Sequence, residues 1–436
     1  MNIIFFAFVA VAFMAAAYRQ LLLPPESPMP MDALSAAMLE SAGSAVTLAI
    51  GLVGVMTLFL GLMKVAEAGG LLVIIAKAVR PLMQRLFPEV PPDHPAMGAM
   101  ILNISANTLG LGNAATPFGI RAMQELEKLN TTPGTATNAM VLFLAINTSS
   151  VTLLPTGVIA IRAAAGSVDP AAIVPTTLFA TICSTTVAII MAKVLQRHWP
   201  SRPVLSSDPI LQAAGDPDPV ADGTAAAATE GPLTAQESYP LWISALALAA
   251  VFALVPLTIL YGREIAPWII PGLMMGLLGF GAARKVRVYE VFIEGAKDGF
   301  QVALRIIPYL VAILVAVGML RASGALAAVI GPIGVVTEPL GLPAEALPMA
   351  LLRPLSGSGA FGVLTSIIND PAIGPDSYTG ILVSTFQGST ETTFYVIAVY
   401  FGAISVRRMR HALPAALSAD VAGIAAAVLI CWMLYG

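Results

Sequence analysis

The chain has little charge. Only 11% of its 436 residues are Asp, Glu, Lys or Arg, against roughly a quarter in a soluble domain. With 57% hydrophobic residues and a mean hydropathy of +0.85, it is an integral membrane protein. The net charge of −3 has no run of one sign behind it. No basic patch interleaved with aromatics is present, which excludes nucleic acid as a partner. The two cysteines, Cys183 and Cys431, lie inside apolar runs without a CxxC pair, so they read as buried thiols. The three histidines, His94, His198 and His411, are scattered, so no zinc site is expected. There is no P-loop and no strand–turn–helix setting for a dinucleotide fingerprint. No His/Asp/Glu cluster or nucleophile–base pair supports catalysis, so the expectation is a protein that is not an enzyme and holds no resident cofactor or metal.

What fills the chain is apolar runs of about 20 residues between turn signals, which predict helices rather than a barrel. The candidate segments are Ile3–Tyr18, Ala45–Met63, Leu71–Leu86, Ala96–Thr108, Val141–Ile161, Ile173–Leu195, Leu241–Leu260, Ile265–Ala283, Ala303–Leu320, Leu326–Val336, Leu347–Leu355, Tyr378–Phe401 and Ala415–Leu434. The first lacks the basic start of a signal peptide and reads as a retained helix. Ala96–Thr108 and Leu347–Leu355 are too short to span about 30 Å of hydrocarbon, which predicts broken or re-entrant helices. Residues 196–238, rich in Pro, Asp, Ala and Gly, read as a disordered linker between a first membrane lobe (1–195) and a second (239–436).

The two lobes repeat. Leu39-Glu40-Ser-Ala matches Ile293-Glu294-Gly-Ala, Ala68-Gly69 matches Ser323-Gly324, Phe118-Gly119 matches Phe361-Gly362, and Asn147-Thr-Ser149 matches Gln387-Gly-Ser389, all in one order. Basic residues set the orientation. Clusters at Lys193, Arg197 and Arg202, at Arg284, Lys285 and Arg287, and at Arg407, Arg408 and Arg410 are placed in the cytoplasm together with the linker. Val141–Ile161 then runs outward and Tyr378–Phe401 inward, so the repeats are inverted. The fold expected is an all-α polytopic membrane protein of two inverted-topology repeats.

Polar motifs recur at matching places in the lobes. The first carries Asn103, Ser105, Asn107, Gly110, Gly112, Asn113 and Thr116, then Asn147, Thr148, Ser149, Ser150 and Thr152. The second carries Arg353, Ser356, Gly357, Ser358 and Gly359, then Gln387, Ser389, Thr390, Glu391, Thr392 and Thr393. Polar residues at membrane depth are costly and mark a pathway or site. Thr116 and Pro117 are expected to start a helix as N-cap and first residue. Two helix N-termini facing inward would suit an anionic group or polar oxygen. At 3.6 residues per turn, Asn147 and Ser150 share a helix face, as do Gln387, Thr390 and Glu391. The plain alternative for the Ser, Thr and Gly positions is close helix packing with interhelical hydrogen bonds. Glu391 is an intramembrane acid, read as an ion, proton or substrate partner, or as a buried pair with Arg353.

These motifs resemble those of the spore maturation proteins A and B joined in one polypeptide. Asn107 to Pro117 and Ile146 to Ser150 are similar to the A partner; Arg353 to Gly359 and Gln387 to Tyr395 are similar to the B partner. The resemblance implies the nucleoside-recognition, or gate, domains found in concentrative nucleoside transporters and in the membrane part of ferrous iron transporters. It also implies an association with spore core dehydration, and it supplies no solute. Nothing here resembles the GTPase domain of the iron transporters or the binding motifs of the nucleoside transporters.

The function expected is a secondary transporter of a small polar or anionic solute across a bacterial inner membrane, with the site built from the paired motifs and with Na+ or H+ as coupling ion. The alternative is an assembly or regulatory membrane protein that keeps the fold without transport. The expected partners are the solute and the lipid bilayer, and a homo-oligomer is compatible with the sequence.

Overall fold

The computed structural model describes residues 2–22, 29–110, 112–199 and 270–436, with isolated positions between 239 and 268. Most of the expected linker and of the segment Leu241–Leu260 lie outside the described residues, as do the side chains of Asn113 and Ser358.

Among the described residues the regular elements are helices, with one isolated bridge between Thr135 and Arg408. The first half contains α1 (Asn2–Leu22), α2 (Pro30–Ala68), α3 (Leu71–Leu86), α4 (Pro95–Thr108), α5 (Gly112–Lys128), α6 (Asn138–Thr148), α7 (Thr156–Ala164) and α8 (Ile173–Leu195). The second contains α9 (Ile270–Ala283), α10 (Val288–Ala322), α11 (Ala325–Thr337), α12 (Leu347–Leu352), α13 (Gly357–Ile368), α14 (Tyr378–Ser389), α15 (Thr393–Gly402) and α16 (Ala412–Tyr435). Each half gives an apolar helix, a very long helix, a turn into a third helix, a helical hairpin, a broken helix and a closing helix. The long helices, of 39 and 35 residues, turn at Gly70 (φ 84°) and Gly324 (φ 76°), where a side chain would be strained. The structural repeat therefore pairs Gly70, not Gly69, with Gly324.

Phe5–Leu22, Pro170–Leu195 and Ala412–Tyr435 are long and apolar enough to cross a membrane, as are two bent pairs, Val53–Ala68 with Leu71–Leu86 and Gly331–Leu340 with Ala344–Leu352. The protein is multi-pass. α2 and α10 pack along each other at backbone distance: a Cβ on Gly299 would lie 2.7 Å from the Met56 carbonyl oxygen, and one on Gly295 2.6 Å from that of Leu60. Such close approach gives the dispersion contact that holds helices together in lipid.

Two corrections concern the broken helices. Val141–Ile161 is not one helix: α6 ends at Thr148, and α7 begins only at Thr156. Tyr378–Phe401 is likewise interrupted between Ser389 and Thr393. The hydroxyls of Thr148 and Ser149 turn back to the Ala145 carbonyl at 2.9 and 2.8 Å, and that of Ser150 to Ile146 at 3.0 Å. These local bonds compete with continuing the helix. Ser150 and Thr390 therefore stand in unwound segments and share no helix face with Asn147 and Gln387.

The ends of the broken helices fix their relative sense. Before α6, Gly134 and Ala136 exchange backbone hydrogen bonds with Arg408, beyond α15: Arg408 donates to Gly134 and Ala136 donates to Arg408, both at 3.0 Å. At the other end, Arg162 on α7 pairs with Asp376, ahead of α14, at 3.0 Å, and the Val168 N–H donates to Asp376 at 2.8 Å. So α6–α7 starts where α14–α15 finishes, and the reverse. The matching elements run in opposite senses, and the repeat is inverted. Arg410 also donates to the Trp199 carbonyl, bringing two of the basic clusters to one end of the molecule.

The halves interlock. One core joins α4, α5 and α6 to Val396, Tyr400 and Phe401 of α15; the other joins Val158 and Ile159 of α7 to α12, α13 and α14. The packing thus crosses the division between the sequence lobes.

Candidate functional site

Each glycine motif is the tip of a hairpin, and each broken helix lies beside one. Gly110 (φ 78°) reverses the chain between α4 and α5, and a Cβ there would sit 2.3 Å from the Leu154 carbonyl oxygen in the first unwound segment. The helix start expected at Thr116 is corrected: α5 begins at Gly112, and Pro117 lies inside it. The turn at Gly110 alone suffices to reverse the chain, and a proline is tolerated within a membrane helix where neighbours meet the freed carbonyl. In the second half Ser356 caps α13, its hydroxyl accepting from the Gly359 N–H at 3.0 Å.

The two unwound segments meet. The Glu391 N–H donates to the Thr148 carbonyl at 2.9 Å, the Leu153 N–H to Thr108 at 2.9 Å, and the Thr185 hydroxyl to the Ser149 carbonyl. These bonds satisfy backbone groups that the breaks release, which apolar surroundings demand.

Around this crossing stand two polar clusters. In the first, Asn103 donates to the Tyr400 hydroxyl at 3.1 Å and to the Ala115 carbonyl at 2.8 Å. Tyr400 donates to Asn147 Oδ1 at 3.2 Å, and Asn107 donates to the same oxygen at 3.0 Å. Gly119 leaves room for Tyr400, because a Cβ there would stand 2.1 Å from its hydroxyl. In the second, Arg353 donates to Thr392 Oγ1 at 2.9 Å and to the Thr390 carbonyl, and lies 3.7 Å from Glu391. The Arg353 side chain is buried, whereas that of Glu391 is 51% exposed. The pair expected to be buried is therefore open on its acidic side.

Several buried polar atoms at the crossing have no protein partner: Asn103 Oδ1, Thr177 Oγ1, Arg353 Nε, Gln387 Oε1 and Asp420 Oδ1. Others lie elsewhere, among them Asn138 Oδ1, Thr337 Oγ1 and both His411 nitrogens, so what sets the crossing apart is the meeting of two breaks. Asn103, Asn107, Asn147, Ser149, Ser150, Arg353, Ser356, Gln387, Ser389, Thr390 and Thr392 are all buried. Ser149, Ser150 and Ser389 bond to carbonyls of their own helices, so their hydroxyls mainly shape the breaks. Tyr400 and Asp420 were not singled out in the sequence. Asp420 is a lone acid in an apolar helix, the same signal that marks Glu391. Tyr400 carries no such signal, because its partners come from the other half.

A family model described as Gate, nucleoside recognition, matches residues 49–165 and 303–407. The chain belongs to the Gate family. Its halves are similar to two proteins of Bacillus subtilis (strain 168). It is 44% identical to spore maturation protein B over 177 residues, which is 40% of this chain and 98% of that protein. It is 49% identical to spore maturation protein A over 155 residues, 36% of this chain and 79% of that one. Two solved structures of CNTnw variants in an outward-facing state align over 98% of this chain. One covers 92% of its own chain at TM-score 0.46 and 13% identity, the other 89% at TM-score 0.36 and 14% identity. The matched Gate residues contain both hairpin tips and both unwound segments.

Proposed function

We propose that the protein is a secondary transporter of a small polar or anionic solute, working by alternating access around the crossing of the two broken helices. The observation that carries this reading is the hydrogen bond from the Glu391 N–H, in the second break, to the Thr148 carbonyl at the end of α6, where the first break begins. Discontinuous helices from inverted repeats are how membrane transporters present backbone and side-chain polar groups to a solute. The first cluster offers amide and hydroxyl groups from Asn103, Asn107, Asn147 and Tyr400, with Gly112, Asn113 and Thr116 beside it on α5. The second offers Arg353, Ser356 and the segment from Gln387 to Thr392, with Ser358 in the first turn of α13. A positive guanidinium next to the start of α13 suits a carboxylate or phosphate, and the amides suit a nucleobase or sugar. The family description, nucleoside recognition, supports including nucleosides among the candidates. The proposed setting is a bacterial inner membrane, with 196–238 cytoplasmic and with Na+ or H+ coupled.

Purified protein tested for thermal stabilisation against nucleosides, dicarboxylates, amino acids and ferrous iron, with and without Na+, would name the class. A ligand at 100 times its dissociation constant stabilises the folded state by about 2.7 kcal/mol. The expected result is one class that raises the midpoint of the wild type and not of Glu391→Gln. Equal stability of both proteins with no hit in any class would count against a solute site.

A further inference from the structure

The motifs do not account for Asp420. It sits on α16 eight residues beyond Ala412, about 12 Å into the helix at 1.5 Å per residue, and is 2% exposed. That depth is well inside a hydrocarbon core of about 30 Å. Its Oδ2 accepts from the Thr393 hydroxyl at 2.7 Å, and its Oδ1 has no partner. The backbone around it is tightly held: Ser184 on α8 donates to the Ala419 carbonyl at 2.8 Å, and a Cβ on Gly423 would lie 2.8 Å from the Thr390 methyl.

The elements packed on α16 are α6, α8, α14 and α15. α6 has no titratable residue; α8 carries Cys183 and Lys193, α14 carries Tyr378, and α15 carries Tyr395 and Tyr400. None of these bonds to Asp420. Arg353, 3.7 Å from Glu391, donates to Thr392, the neighbour of the Thr393 that bonds Asp420. One buried cation thus lies near two acids, one half exposed and one 2% exposed. An isolated carboxylate in such surroundings is strongly disfavoured, while a carboxylic acid is not. Oδ2 accepts the Thr393 hydrogen bond as the carbonyl oxygen of an acid can, and no donor on Oδ1 holds the group as a carboxylate.

We infer that Asp420 is a proton-binding site that exchanges its proton as Arg353 turns between Glu391 and Asp420. With Arg353 on Glu391, Asp420 Oδ1 holds a proton taken from water. When a solute displaces Glu391 from Arg353, the guanidinium turns to Asp420 and the proton returns to water. The role in coupling rests on the transport reading above; proton binding itself does not. Sodium is less suited, because Asp420 and Thr393 supply few of the several oxygens a hard cation needs.

Infrared difference spectroscopy of the purified wild-type protein, stepped from pH 6 to pH 9, tests this without any solute. The expected result is a carboxylic acid C=O band that is lost on alkalinisation and is missing in Asp420→Asn. Asp420→Glu, which covers the case of a misfolded amide, should keep a band at a displaced position, and Thr393→Val should shift it. No band, a band that persists in Asp420→Asn, or one removed by Na+ at fixed pH would overturn the assignment. Once a solute is known, Asp420→Asn in proteoliposomes should retain solute exchange and lose uptake driven by a pH gradient. Uptake still driven by the gradient would overturn the coupling role. A band at Asp420 with no transport of any solute would count against the transport reading alone.

Discussion

Tyr400 joins three asparagines, directly or through a shared oxygen, across the two halves of the chain. Its hydroxyl receives from Asn103 and donates to Asn147, which also receives from Asn107. Tyr400→Phe leaves these buried amides short of partners, at a cost of about 1–3 kcal/mol. A double-mutant cycle with Asn147→Ala should show coupling, since both remove the same bond. Gly119→Ala should destabilise by about 1–3 kcal/mol through overpacking, and by clearly less in a Tyr400→Ala background, as thermal or denaturant unfolding would report. His411, just ahead of α16, is pushed down to about 4 by burial and then by Arg410 beside it. Between pH 6.5 and about 4 the unfolded chain binds the proton and the folded one does not. Stability should therefore fall as pH drops through that window, and the slope of midpoint against pH should flatten in His411→Gln. At this scale the sequence shows residue types that are costly in lipid, such as Glu391 and the asparagines. It does not show Tyr400 or Gly119, whose roles exist only once α15 packs against α5.

Helix starts and stops were partly legible. The short segments announce broken or re-entrant helices, but the cap expected at Thr116 is not one, and the cap at Ser356 was not named in advance. The breaks in the long apolar runs 141–161 and 378–401 were not legible. Ser and Thr fit a membrane helix as well as a break, and the decision comes from partners far along the chain: Thr108, Thr185 and the facing segment itself. The α2–α10 contact offers a test at this scale. Gly299→Ala places a methyl against the Met56 backbone, which cannot yield as a side chain can. A loss of about 1–3 kcal/mol is expected. Gly272→Ala on α9, with nothing within 4 Å of the added carbon, should be close to neutral. Equal stability of the two variants would contradict the backbone-distance packing of α2 on α10.

Across the whole molecule, inversion was legible from the distribution of Lys and Arg, and the two inter-half clamps give it a geometric basis. One clamp joins Gly134 and Ala136 to Arg408; the other joins Arg162 to Asp376. The interlocking of the halves was not legible, because a linear order of helices carries no information on which hairpin a broken helix packs against. With Cys183 and Cys431 replaced by Ala, Val168→Cys should react with an impermeant thiol reagent from outside the cell, and Arg407→Cys only from the cytoplasmic side. Reaction of both from one side would refute the inversion. The most direct test of alternating access at the crossing uses Ser150→Cys in the same background, reconstituted in one orientation and probed from each side in turn. Ser150 is 7% exposed and lies in the first unwound segment, two residues after the Thr148 carbonyl that accepts from Glu391. Labelling from both sides, each suppressed by the solute found in the stabilisation panel, is the expected result; labelling from one side only, with or without solute, would contradict transport through this site.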